Sequence, residues 1–280
     1  MKIIGSDCVV TGGAGGIGRG LIERLVLHEG AHMVACVDLP DSRIHQVTAD
    51  INAEAEREAV VAFPGDATNP DFIWSVFNKF DEKTGGPPEI LVSLMGRPLD
   101  ALMESYKQGK PPKVFPMEKL KENLIVNAAG PAEWACVFAY MHDKHRIDNN
   151  LGNWVDKGGE EQGVVVFVGS VSAEAGIVGQ LGYGMAKNAL LGAFRVLKTE
   201  CYLRLGIRPV LINPGFIETP MVTGMGQQEQ EAVLQNVPSH SFITVPGIVE
   251  TFVYAIKCDS ISAPVSVGAG YTCPPRLYRN

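Results

Sequence analysis

The sequence predicts an α/β fold, with residues 1–280 forming a single domain around a doubly wound, mostly parallel sheet of seven strands that carries helices on both faces. Three observations predict it. Seven short apolar runs alternate with helix-like segments along all 280 residues, the order that parallel strands joined by crossover helices produce. The first run leads straight into a glycine-rich turn and then an amphipathic segment, so the glycines sit where a strand hands over to a helix. No stretch rich in Pro, Gly and Ser divides the chain, and there is neither an internal repeat nor a low-complexity tract.

DCVVT (7–11) is the first strand. It enters GGAGGIG (12–18), after which Ile17, Leu21, Ile22, Leu25 and Val26 share one helical face. Gly12 permits the tight turn. Gly16, flanked by Gly15 and Ile17, lets backbone N–H groups approach a pyrophosphate, and Gly18 lets the helix lie close to the sheet with its N-terminus toward the anion. The second strand, MVACVD, ends at Asp38, with Leu39 next, about 20 residues past the glycines. An acid there accepts hydrogen bonds from an adenosine ribose and repels a 2′-phosphate, which favours NAD(H) over NADP(H). The nearest following cation, Arg43, fits a solvated helix. After a charged helical segment (50–57), VVAFPGD forms the third strand and ends at Asp66, followed by Ala67. The Asp66 carboxylate either meets an adenine amine or begins a helix cap.

EILVSLMG (89–96) is the fourth strand and closes on Gly96. Residues 97–116, with Gly109, Pro111, Pro112 and Pro116, exclude a long helix and either border a cleft or run over the surface. A helix follows over about 118–142. It carries Asn127, and Gly130-Pro131 interrupts it, because a proline inside a helix removes a hydrogen bond and kinks the chain. The polar stretch of about 143–162 reads as a surface insertion, with Leu151 and Trp154 packing locally or serving a subunit contact. VVVFVG is the fifth strand. A long helix over 183–205, apolar on more than one side, belongs in the core or an oligomer interface. RPVLIN is the sixth strand and ends at Asn213-Pro214-Gly215. Residues of about 215–246 mix apolar and polar side chains with little regularity, as a substrate lid would. A helix (248–257) and a short strand, PVSVG, complete the sheet.

Composition narrows the function. Hydrophobic residues make up 46% and charged ones 20%, with a formal net charge of -7, so there is no basic footprint for nucleic acid or an anionic membrane. No apolar run approaches the roughly 20 residues of a bilayer span, and the N-terminus has no long apolar leader. The expected location is therefore cytoplasmic. The six cysteines are scattered without a C-x-x-C pair or a histidine-rich partner, so buried free thiols are expected, with no metal site.

The chemistry concentrates between Ser170 and Lys187. Tyr183 and Lys187 stand at i and i+4, on one helical face. An ammonium beside a phenol favours the phenolate and brings tyrosine, whose pKa is about 10 in a model peptide, toward the working range of a general acid/base. Ser170 follows a buried strand, so its hydroxyl stands at the strand's carboxyl end, where open α/β sheets keep their sites. Small apolar residues between these groups suit an uncharged substrate portion. Met221, Val222, Met225, Val233, Leu234 and Phe242 suit an apolar lid, although helix packing explains them equally well.

Taken together, Thr11-Gly12-x-x-x-Gly16-x-Gly18, Asp38, Asp66, Asn127, Ser170, Tyr183-x-x-x-Lys187 and Asn213-Pro214-Gly215 resemble the single-domain short-chain dehydrogenase/reductase family. The resemblance runs from one end of the chain to the other. It implies a Rossmann-type domain that assembles as a homotetramer or homodimer through the helices bearing Asn127 and Tyr183. It implies that Tyr183 is the acid/base, that Lys187 binds the nicotinamide ribose, that Ser170 orients the substrate carbonyl and that Asn127 holds a water of a proton relay. Pro214, Gly215, Ile217 and Thr219 look like the loop over the nicotinamide; as a plain alternative, Thr219 is a turn hydroxyl before Pro220. The expected activity is NAD(H)-dependent interconversion of a largely apolar secondary alcohol and ketone. The competing reading is a catalytically weak or inactive NAD(H)-binding sensor or scaffold. Its support is a departure from the family pattern: the usual Asn-Asn-Ala-Gly is Ser93-Leu94-Met95-Gly96 here, and Met95 adds bulk near the expected cofactor ribose. Tyr-x-x-x-Lys also sets the chain apart from enoyl reductases, which resemble Tyr-x6-Lys.

Overall fold

The computed structural model describes residues 1–99, 101–106, 108, 110–154 and 160–268. In chain order the elements are β1 (Asp7–Thr11), α1 (Gly16–Glu23), β2 (Met33–Asp38), α2 (Ile44–Ala55), β3 (Val60–Pro64), α3 (Pro70–Thr84) and β4 (Ile90–Ser93). There follow β5 (Glu104–Ser105), β6 (Lys113–Val114), α4 (Met117–Leu124), α5 (Gly130–Asp148), β7 (Gly163–Val168), α6 (Ser172–Ala175) and α7 (Leu181–Leu205). The last are β8 (Ile207–Pro214), α8 (Pro220–Thr223), α9 (Gln227–Leu234), α10 (Val245–Lys257) and β9 (Val265–Val267).

Seven strands form one sheet in the order β3-β2-β1-β4-β7-β8-β9, and every neighbouring pair in it is parallel. This is the expected α/β class. Both faces are buried, which is why the strands read as continuous apolar runs. Alternate side chains serve opposite cores: Val164 and Val166 of β7 face a cluster that includes Leu21 of α1 and Phe252 of α10. Val165 and Phe167 face one built from Phe77, Trp134, Phe138 and Leu190. The strand order reverses between β1 and β4, and a crevice opens there at the carboxyl ends of the strands.

Several boundaries differ from the sequence reading. The helix carrying Asn127 runs to Asp148, so the expected insertion at 143–162 opens with helix. Trp154 packs locally on Tyr202, with ring centroids 5.2 Å apart; residues 155–159 lie outside the described residues, as do Arg276, Tyr278 and Arg279, the C-terminal residues that the sequence offers for reaching a neighbouring subunit's site. The helical run Met117–Asp148 is long and apolar enough to cross a membrane by length and composition, contrary to the sequence estimate. Half of its most apolar window is buried inside the domain, with Trp134 and Phe138 fully enclosed. Cys8 and Cys36 are buried free thiols as expected, whereas Cys136 is exposed. Residues 97–116 contain the small β5–β6 hairpin, and residues 215–246 fold into α8 and α9, with Ile217 and Ile243 bridged near the ends.

One distortion shapes the site. Pro131 has no N–H to give to the carbonyl of Asn127, four residues earlier. Between α4 and α5 the helix widens into a π turn, Ile125–Ala129, closed by the Gly130 N–H on Ile125 O, an irregularity that often marks functional sites.

Candidate active site

A groove of about 800 Å³ crosses the switch point, lined by Gly12, Gly15, Gly16, Ile17, Gly18, Asp38, Leu39, Asp66, Ala67, Gly96 and Thr219. Glycine is required at its floor. Gly12 has φ +69, and a Cβ at Gly18 would lie 2.2 Å from Gly12 O. At Gly16 a Cβ would find its nearest neighbour 3.8 Å away, in Thr219, so the glycine there keeps the groove clear. No side chain caps α1 at Gly15, and bare backbone faces the groove where a helix N-terminus favours an anion. Asp38 is fixed by the Ala14 N–H on Oδ2 (2.9 Å) and the Leu39 N–H on Oδ1 (2.8 Å). Asp66 lies beyond β3 and accepts the Thr68 N–H and hydroxyl at 2.9 and 2.7 Å. The cap of α3 is Asn69, which accepts from the Asp71 and Phe72 N–H groups, so Asp66 does not begin the helix.

The groove continues into a cavity of about 200 Å³ lined by Ser170, Tyr183, Lys187, Pro214, Gly215, Ile217 and Thr219. The structure thus brings three of the four catalytic candidates onto one wall. Lys187 is 5% exposed. Its Nζ donates to Val168 O at 2.8 Å and sits 5.6 Å from the Tyr183 ring centroid. Burial pushes its pKa down to about 8. The Ser170 hydroxyl donates to Ser172 Oγ (2.9 Å) and accepts the Ser172 N–H (3.1 Å). Asn213, at the end of β8, donates to Glu174 Oε1 at 2.7 Å, and Ser266 does so at 3.2 Å, which ties α6, and with it the Ser170 turn, to β8 and β9.

Asn127 lines neither cavity. Its Oδ1 accepts the Arg97 N–H at 3.0 Å, while Nδ2 donates to Arg97 O at 2.8 Å and to Asn123 Oδ1 at 3.2 Å. The amide therefore clamps the backbone that follows Gly96, whose φ is +156 and whose Cβ would fall 2.6 Å from Asn127 Oδ1 and 3.3 Å from Lys187 Nζ. Residues beyond the sequence reading also contribute. Arg97 lines both cavities and pairs with Glu122. Phe216 joins Val222 and Met225 in the cavity wall. Val233 packs instead against Val171 and Val237. The signal for Asn123 was its i, i+4 spacing from Asn127; Arg97 and Phe216 had none beyond adjacency to Gly96 and Gly215. Among the described residues no group of three metal-ligating side chains converges.

A doubly wound sheet with a glycine-floored groove leading to a Ser, Tyr and Lys cluster defines the dinucleotide-binding α/β oxidoreductases as a class. The chain belongs to the short-chain dehydrogenase family, whose model, described as short chain dehydrogenase, matches residues 7–230. It is thereby an oxidoreductase of CH–OH groups that uses a nicotinamide cofactor. It is 27% identical over 256 residues to 3-hydroxyacyl-CoA dehydrogenase type-2 of Homo sapiens, covering 91% of this chain and 90% of that one. To the 3-oxoacyl-[acyl-carrier-protein] reductase MabA of Mycobacterium avium it is 24% identical over 249 residues, covering 88% and 82%. The fold matches the crystal structure of 3-oxoacyl-[acyl-carrier protein] reductase from Brucella melitensis with a TM-score of 0.77 at 18% identity, over 97% of this chain and 93% of that one. It matches that of 3-hydroxyacyl-CoA dehydrogenase type-2 from Mycobacterium avium with a TM-score of 0.75 at 20% identity, over 96% and 97%.

Proposed function

We propose that the protein interconverts a secondary alcohol and a ketone with NAD(H), with Tyr183 as general acid/base. The observation that carries this reading is the buried Lys187 ammonium beside the Tyr183 ring on the wall of a cavity that Ser170 shares. The bound cofactor supplies or accepts the hydride. Tyr183 gives its phenolic proton to the carbonyl oxygen, or takes one from the hydroxyl in the reverse direction. Lys187 favours the phenolate by its charge and remains a donor for a ribose hydroxyl. Ser170 turns its hydroxyl from Ser172 to the substrate oxygen, and so holds it toward Tyr183. Asn127 acts as a positioning residue through the Arg97 backbone; its side-chain amide is already engaged there, so a relay water would rest on other groups of the π turn.

Gly12, Gly15, Gly16, Ile17 and Gly18 would hold the pyrophosphate, and Asp38 the adenosine ribose, where a 2′-phosphate would meet a fixed carboxylate. The two acyl-named relatives make 3-oxoacyl and 3-hydroxyacyl thioesters the first substrates to try, and an apolar wall that includes Phe216, Val222 and Met225 supports an acyl chain. A homodimer or homotetramer through α5 and α7 is supported by the exposure of Tyr140, Ile147, Val196 and Leu203.

NADH and NADPH absorbance should be followed against 3-oxoacyl thioesters and simple ketones. Tyr183→Phe is expected to abolish turnover and keep NADH binding. A wild type that binds NADH and turns nothing over would favour the sensor reading, and a Tyr183→Phe protein with wild-type turnover would remove Tyr183 as the acid/base.

A further inference from the structure

Met95 stands where the family carries a small residue, and the sequence alone sets its bulk against the cofactor. The structure seats most of that bulk in the core beside the groove. Met95 is 7% exposed and belongs to the core cluster formed with Trp134, Phe138 and Phe167, although it also borders the dinucleotide groove. Its terminal methyl rests against the residue that follows the π turn: a Cβ at Gly130 would lie 2.8 Å from Met95 Cε and 3.5 Å from Sδ. Real Cβ atoms do not approach so closely, so a larger residue at 130 makes the flexible end of Met95 shift. The backbone at this point is fixed as well, since the Met95 N–H donates to Thr11 Oγ1 at 3.3 Å and a Cβ at Gly12 would lie 3.0 Å from Leu94 C. A displaced side chain has to move by rotation, and one side of it is the groove.

We propose that Gly130 is the seat of Met95. The missing side chain on the helix accommodates the surplus side chain after β4, and the pair keeps the dinucleotide groove at working width. Gly130 and Met95 are positioning residues for the cofactor and touch no reacting atom. This rests on the functional reading above in so far as the groove takes a nicotinamide dinucleotide. It removes the ground for reading Ser93-Leu94-Met95 as a sign of lost binding.

The test is a double-substitution cycle of wild type, Gly130→Ala, Met95→Ala and the two combined, read by NADH fluorescence titration and by thermal unfolding without cofactor. Gly130→Ala should raise the NADH dissociation constant about tenfold, and raise KM for NADH with a smaller change in kcat. Met95→Ala empties the seat and sets the reference NADH affinity against which the combined variant is compared. The combined variant should stay within about threefold of Met95→Ala, because the displaced side chain is gone. If Gly130→Ala weakens NADH binding as much beside Met95→Ala as it does alone, the effect passes through the π turn and Asn127 and the proposal is overturned. Additive shifts in unfolding temperature would overturn it too, without reference to any cofactor. A wild type that binds neither NADH nor NADPH would instead remove the functional reading, and coupled unfolding temperatures would still support the seat.

Discussion

Raising the pH through the titration of Lys187 is expected to stabilise the free protein. The ammonium is 5% exposed, and burial holds its pKa at about 8 against the ordinary 10.5. Between those values the unfolded chain keeps a proton that the folded chain has released, so the unfolding free energy rises with pH over that window and is flat below it. The gap corresponds to roughly 3 kcal/mol held against the fold at neutral pH, of which about 2 kcal/mol is recovered between about pH 7 and about pH 9.5. Lys187→Met keeps the length and removes the charge. Allowing ~1 kcal/mol for the lost hydrogen bond to Val168 O, the variant should be more stable than wild type by ~2 kcal/mol near neutral pH and nearly equal to it near pH ~9.5. Urea unfolding of both proteins, followed by tryptophan fluorescence at the two pH values, measures this, and other titrating groups cancel in the difference. Parallel pH dependences, or a variant less stable than wild type at neutral pH, would refute the reasoning. Under the proposed function the stabilised variant should also be inactive, as expected where a site is held at the expense of stability.

Three further outcomes are expected. Replacing Asp38 by Ser and Leu39 by Arg should shift the NADP(H) to NAD(H) ratio of kcat/KM by about 100-fold toward NADP(H), because a repelling carboxylate gives way to a phosphate-binding fork; steady-state kinetics with both cofactors measures it, and an unchanged ratio would place the ribose elsewhere. His142, part-buried against Phe138 with Nε2 on Pro88 O at 2.9 Å, is pushed down to a pKa of about 4 by burial. The unfolded chain takes up its proton first, so stability falls as the pH drops from 6.5 toward 4, by at most ~3 kcal/mol; His142→Gln should flatten that limb in denaturant titrations. Arg208, 2% exposed, is held by Glu161 and by the carbonyls of Ala255 and Ile256. Arg208→Met should cost about 3 kcal/mol in chemical unfolding by leaving the carbonyls of Ala255 and Ile256 without their donor and Glu161 with the Met1 ammonium alone.

Much of the fold was legible because its signals are local. A run such as VVVFVG has both faces buried, so it announces a central parallel strand. Gly18 was legible for the same reason, since the turn it enables closes within seven residues of Gly12, and its Cβ would strike Gly12 O. The break near Asn127 was readable from Pro131, but its form as a π turn and the clamp on Arg97 were not. That contact joins residues 30 apart in sequence, and no periodicity encodes it. The contact of Met95 with Gly130 was hidden for the same cause: its bulk is local information, whereas the glycine it touches lies on another element. The extent of α5 was missed because the polar residues after His142 resemble a loop, although they continue a helix whose far face is buried.

The crevice draws on the ends of β1, β4, β7 and β8, and these strands finish at Thr11, Ser93, Val168 and Pro214. Each piece is separated from the next by a long stretch of chain, so no short segment is a partial version of the site. Such closures cost chain entropy before they return contact energy, and they belong to slow, non-local folding. During refolding from denaturant, helical signal should therefore return well before NADH binding. Under the proposed function, a protein cut between β7 and β8 is expected to leave neither fragment with measurable turnover.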